Sequence, residues 1–213
     1  MAPVLRDDMA AALQEVQHAL ATVFESDDYN DKRDEIVKAF RDERNRELQA
    51  FENEAQEKGF ALGRSPAGLV VAPAVDGEVM TPQQYSELPE EERQRLDATR
   101  EELQQKLGDI MRRGQRDEKE TRERVRRLDQ AVLRESLQSL FEELRRKYSA
   151  VPDVIRFFER VEDDLVANVA GLRRAAEEED GNPVMPPAFL PGPGRQPLDR
   201  YKINVLVSND PQA

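Results

Sequence analysis

The sequence predicts a mainly α fold: an antiparallel coiled-coil arm with a small β-hairpin at its tip, a helical bundle base and a C-terminal orphan strand. Three observations predict it. Apolar residues recur at spacings of three and four along most of the 213 residues, the pattern of helices that bury one stripe. Charged residues make up 36% of the chain and hydrophobic ones 38%, with no Trp, so the buried stripes must be narrow. One apolar segment punctuated by Gly and Pro, "GFALGRSPAGLVVAPAVDGEVM" at 59–80, interrupts the helical pattern between two long charged stretches.

Residues 1–27 read as a base helix, with Met9, Leu13, Val16, Leu20, Val23 and Phe24 on one stripe over 4–26. Asp7 and Asp8 lie near its start, where the helix dipole favours negative charge. "SDDY" at 26–29 offers caps for a second helix reaching about Lys58, whose stripe is Ile36, Phe40, Leu48, Phe51 and Ala55. Gly59 is a natural stop. The helix restarts in "SELPEEERQRL", with Ser86 as cap, Pro89 in the first turn and three glutamates near the positive end. Leu96, Leu103, Leu107 and Ile110 then form a stripe matching that of 36–55, and residues 28–114 read as an antiparallel arm.

From Arg112 to Arg124 the stripe lapses, and Gly114 weakens a helix by about 1 kcal/mol relative to Ala. The expectation is exposure or a kink. Residues 115–176 read as base helices: Val125, Leu128, Val132, Leu137, Leu140, Phe141 and Leu144 first, then, after "SAVPD", one further helix carrying Val154, Ile155, Phe158, Val161, Leu165, Val169 and Leu172. Residues 177–199 are acidic, then rich in Pro and Gly, and read as a linker. Residues 200–213 contain the strand-like run "YKINVLV", with no second strand near it in sequence.

Within 59–80, "FALGR" and "GLVVAPA" flank Ser65, Pro66 and Ala67 as two strands around a turn. Gly63 and Gly68 have the spacing of a phosphate-binding loop, but Leu69 and Val70 stand where that loop needs Lys and Ser or Thr. Nucleotide binding is rejected there. What remains is protein contact through Phe60, Leu62, Leu69, Val70 and Val71, set against the plainer reading that these residues pack together to close the arm.

The remaining chemistry is excluded by inventory. The net charge of −12 argues against nucleic acid and anionic lipid as partners. The arginine-rich stretch 112–127 is interleaved with acids and lacks aromatic residues for base stacking. Absence of Cys removes thiolate chemistry, and no apolar run suits a signal peptide or a membrane span, so the cytoplasm is expected. His18 is the single histidine and lies between Val16 and Leu20. Ser65, Ser86, Ser136 and Ser139 have no nucleophile context, and no metal-ligand set is legible. The chain by itself is expected to carry no active site and no cofactor.

Three stretches, "GFALGRSPAGLVVAPAVDGEVMTPQQYSELPEEERQRL", "LFEELRRKYSAVPDVIRFFERVEDDLVANV" and "RYKINVLVSND", together resemble the helical insertion of Lon-like AAA+ proteases over nearly the whole chain. The resemblance implies that the C-terminal strand returns to the central sheet of an ATPase module. It implies a cytoplasmic, homo-hexameric parent that degrades protein with a Ser–Lys dyad, using ATP and magnesium or working without ATP. The phosphate-binding loop, the paired magnesium acids and the dyad have no counterpart in this sequence. On that reading the chain is a non-catalytic substrate-engaging or entrance-gating region, whose partners are unfolded protein and the rest of the protease. The alternative is an independent coiled-coil holding chaperone or scaffold, since helix–hairpin–helix also resembles prefoldin-type chaperones.

Overall fold

A computed structural model describes residues 2–65, 68–75, 77–179 and 198–203. In chain order the elements are α1 (Ala2–Val23), α2 (Asp27–Glu57), β1 (Phe60–Ser65), β2 (Gly68–Val75), β3 (Glu78–Val79), α3 (Pro82–Glu87), α4 (Glu90–Lys147), α5 (Pro152–Ala167), α6 (Val169–Glu179) and a 3-10 turn at Asp199–Tyr201. The fold is mainly α with one three-stranded antiparallel sheet, ordered β1-β2-β3. No helix among the described residues is long and apolar enough to cross a membrane. The chain divides into two compact units: unit 1 is Met1–Asp34 with Arg124–Ala213, and unit 2 is Glu35–Glu123.

Unit 1 is built on periodic apolar faces. Met9, Leu13, Val16 and Leu20 of α1 are buried with Leu133, Leu137, Phe141 and Leu144 of α4. Phe158, Val161 and Leu165 of α5 and Val169 and Leu172 of α6 complete the same core. Tyr148 meets Phe158 edge-on at 5.7 Å between centroids, an arrangement that suits the ring quadrupoles. The single helix expected over 154–172 is two helices. At Asn168 the backbone N–H donates to the carbonyls of Asp164 and Val166, and the side-chain Nδ2 donates to the Asp164 carbonyl at 2.8 Å, so Asn168 competes for the helix ladder and ends α5.

A polar cluster sits inside this unit. The Tyr29 hydroxyl donates to Asp129 Oδ1 at 2.7 Å, and Arg173 donates to the Tyr29 oxygen at 2.7 Å while pairing with Asp129 Oδ2 at 3.4 Å. The guanidinium also lies 4.4 Å from the Phe24 ring centroid. Asp129 is the one buried charged residue among those described, and two donors compensate its desolvation. Tyr148 donates to Asp8 at 2.7 Å, and Lys147 pairs with the same carboxylate at 2.6 Å.

In unit 2 the α2 and α4 segments carry ion pairs whose partners fall on one helix as they rise on the other. Glu47 pairs with Arg113 at 2.7 Å, and Glu54 pairs with Lys106. This alignment is antiparallel. The apolar contacts between them are few: Phe51, Ala55, Leu103 and Leu107 are buried together with Phe60 and Val71 of the sheet.

Several sequence expectations change. Ser86 does not cap α4. It lies inside α3, where its hydroxyl donates to the Gln83 carbonyl, while α3 itself starts in a capping box in which Thr81 and Gln84 bond reciprocally. The stretch 112–124 is largely exposed, as expected, but α4 runs through it unbroken. Gly114 is buried there, and a Cβ built on it would stand 3.0 Å from Arg44 Nη1, so the glycine makes room for a side chain of the facing helix. The expected linker starts later, since α6 continues to Glu179, and residues 180–197 lie outside those described. Asp199–Tyr201 form a 3-10 turn, not the start of a strand. Leu198 and Tyr201 are buried in the unit 1 core, and residues 204–213, with most of the expected strand, lie outside those described.

Candidate functional site

The hairpin expected from the sequence forms, and its register fixes which side chains share a face. Phe60 pairs with Pro73, Leu62 with Val71, Gly63 with Val70 and Arg64 with Leu69. Gly59, at φ 78°, takes the left-handed conformation that ends α2 and turns the chain into β1. A second hairpin joins β2 to β3, with Val75 opposite Glu78. Its two connecting residues are Asp76-Gly77, the strongest short hairpin signal in the sequence, and Gly77 has φ 84°. That dipeptide could have announced the third strand in advance.

Directly opposed residues lie on one side of a sheet, and sides alternate along each strand. Phe60, Leu62, Arg64, Leu69, Val71 and Pro73 therefore share the inner side. Phe60 and Val71 are 1% and 4% exposed within the unit 2 core, and Leu62 and Leu69 pack against it while half-buried. Four of the five candidate contact residues are thus turned toward their own helices, as the plainer reading has it. Only Val70 lies on the outer side.

That outer side carries Ala61, Gly63, Val70, Ala72, Ala74 and Val79. None of these belongs to the buried core, and Val79 is 50% exposed. The side is uncharged in a chain where 36% of residues carry charge. Ala61, Gly63, Val70, Ala72 and Ala74 are half-buried, and adjoining apolar residues that keep part of their surface open mark contact sites more often than isolated ones do.

The edges of the sheet differ. The Ala74 N–H donates to the Gly59 carbonyl at 2.8 Å, which makes 59 and 74 a hydrogen-bonded pair of the antiparallel ladder. Alternation then places 61, 63 and 65 in hydrogen-bonded pairs and turns the N–H and C=O groups of Phe60, Leu62 and Arg64 away from β2. On the far side of β2, Pro73 contributes no N–H, and its carbonyl accepts from Met80 at 2.8 Å. β1 is therefore an edge strand without proline, and Arg64 is its one charge.

Unit 1 holds a separate groove of about 620 Å³ between α1 and α4. His18 of α1 and Ser136 and Ser139 of α4 all line it, a grouping that the sequence did not suggest. No hydrogen bond among the described residues joins the imidazole to either hydroxyl, so the groove lacks the nucleophile–base contact that acyl transfer needs.

A comparison with protein-family models finds no match for this chain, and a comparison with curated proteins finds none either.

Proposed function

We propose that the chain is a non-catalytic, protein-contacting region of a Lon-like protease, engaging unfolded substrate or gating its way into the parent. In this reading unit 2 is an antiparallel coiled-coil arm closed by its sheet, and unit 1 is a helical bundle that connects to the remainder of a hexameric cytoplasmic enzyme. ATP and magnesium belong to that remainder. The observation that carries the reading is the uncharged outer side of the sheet, centred on Val70. Unfolded polypeptide differs from folded protein in presenting apolar side chains and unpaired backbone together, and this surface matches the first of these by apolar contact.

The inner residues are unsuitable for testing it, because replacing Val71 would open the unit's own core. The test uses Val70→Asp and Val79→Asp on the outer side. In the full-length parent both should slow degradation of an unfolded protein several-fold and spare hydrolysis of a short peptide. Equal loss of both activities would reject a role in substrate contact. An isolated chain that forms a stable oligomer and suppresses aggregation of a denatured protein would replace this reading with that of a holding chaperone.

A further inference from the structure

We propose that the free edge of β1 accepts an extended segment of unfolded protein as an added strand, with its register set by an acidic side chain beside Arg64 and an apolar one beside Gly63. This rests on the reading of unit 2 as a protein-contacting arm and names what the arm would hold and how.

The backbone specifies the occupant's conformation. Leu62 and Arg64 turn their N–H and C=O groups away from β2 at alternate positions, whereas Phe60, 1% exposed, keeps its own inside the unit, and an extended chain is the partner whose own groups repeat with that spacing. The other margins of the sheet are poorer. Pro73 removes a donor from the far side of β2, and β3 has two residues. Edge strands are usually guarded by proline, lysine or a bulge, and "FALGRS" at β1 contains neither proline nor lysine.

Two side-chain features specify the occupant's chemistry. Arg64 is exposed, and among the described residues it has no ion-pair partner. A carboxylate directly across an added ladder would supply one. Gly63 has no side chain, and a Cβ built there would stand 3.5 Å from Val70 Cγ2, so the glycine leaves a shallow apolar hollow beside Val70 on the outer side. Because neighbouring residues of a strand point to opposite sides, the acidic and apolar residues of the guest are adjacent in its sequence. The preferred segment has an apolar–acidic step within an alternating, uncharged run.

The test uses the full chain and a fluorescent eight-residue peptide of alternating Val and Thr containing one Val-Glu step. Two further forms carry N-methyl groups on alternate amides, one form for each set. In an added strand only one set faces β1, so one methylated form should bind like the parent peptide. The other should lose at least about tenfold, since two or more backbone hydrogen bonds go unmade. Equal behaviour of the two forms overturns the proposal. Arg64→Glu, an exposed change that leaves the core untouched, should invert the preference between Glu and Lys peptides; an unchanged preference removes Arg64 from the register.

A reduced and alkylated model protein is measured in parallel. If it binds in a manner sensitive to Val70→Asp while both methylated peptides bind alike, the edge proposal falls and the arm reading stands. If neither the protein nor any peptide binds, the arm reading itself falls. A dimer in sedimentation that Leu62→Pro dissolves would assign the edge to a second copy of the chain and overturn the proposal.

Discussion

Unit 1 and unit 2 are both mainly helical, yet they hold themselves together differently. Twenty described residues form the buried cluster of unit 1, drawn from five helices, the ends of the turns beside them and the 198–201 turn, with polar residues locked inside. Six form that of unit 2, and two of these come from the sheet. The helices of unit 2 meet through a thin apolar seam supplemented by exposed ion pairs, which contribute about 0–1 kcal/mol each and weaken with salt. The sheet is thus part of the hydrophobic closure of unit 2 as well as the surface proposed above for protein contact. One element serves both roles because the two sides of a strand are independent in sequence.

The largest effect should come from testing how far each core depends on one ring. Phe51 and Phe158 are both buried, at 2% and 0% exposure, and truncation of either to Ala should cost about 3–5 kcal/mol. In unit 2 that loss falls on a core of six residues, so Phe51→Ala should abolish slow hydrogen exchange throughout α2 and the sheet. Phe158→Ala should weaken unit 1 and leave it folded. Survival of unit 2 together with collapse of unit 1 would reverse the comparison.

The polar cluster comes next. Tyr29→Phe leaves Asp129 with Arg173 and without the hydroxyl, at a cost of about 1–3 kcal/mol in urea denaturation. Glu47→Gln in unit 2, an exposed pair by contrast, should cost under about 1 kcal/mol, and that cost should vanish in high salt. Equal costs would mean that the burial of Asp129 is energetically idle.

Gly114→Ala should give a smaller change of opposite sign. Arg44 Nη1 is the far end of a flexible side chain and can yield a few tenths of an ångström, so the gain in helix propensity, up to about 1 kcal/mol, should prevail and raise the melting temperature of unit 2. A lower melting temperature would show that Arg44 is held in place.

The last comparison is of pH. In unit 1 the hydrogen bond from Lys147, then that from Tyr148, holds Asp8 below its ordinary value. In unit 2 Lys106, then Lys58, holds Glu54 below its own. For a depressed carboxylate, stability is fully present above the unfolded pKa and is lost as pH falls through the folded one, so both units weaken below the ordinary carboxylate range. Burial, then the hydrogen bond to Asp8, pushes Tyr148 up to about 12. A raised pKa gives the opposite sign: its contribution is whole below the ordinary tyrosine value and is lost as pH rises toward 12. Asp8→Asn should flatten the acid limb of unit 1 in a pH series of denaturation midpoints and leave that of unit 2 unchanged.

Much of this architecture is legible in the sequence. The i, i+3, i+4 spacing of Met9, Leu13, Val16 and Leu20 names a buried face without reference to any partner, and the strands flanking Pro66 and Ala67 follow from turn chemistry. The site was harder to read because apolarity does not say which side of a strand meets the helices. Leu69, Val70 and Val71 look alike in sequence, and the register alone turns Val70 outward. Asn168 was missed because apolar periodicity continues across it, the break being made by a side-chain hydrogen bond. Asp129 was hidden among solvated charges, since the partners that make it a buried acid are distant in sequence.

The contact between Tyr29 and Asp129 closes across 100 residues, and that between Arg173 and Tyr29 across 144. All of unit 2 lies inside the first of these loops. Its hairpins pair neighbours in sequence and should form within microseconds, well before contacts of such separation. Once unit 2 has closed, the chain to be looped between Tyr29 and Asp129 is effectively shortened, and part of the entropy of that closure has already been lost. The sheet is then a kinetic element too: a hairpin mutation such as Gly77→Val, made within unit 2, should slow the refolding of unit 1.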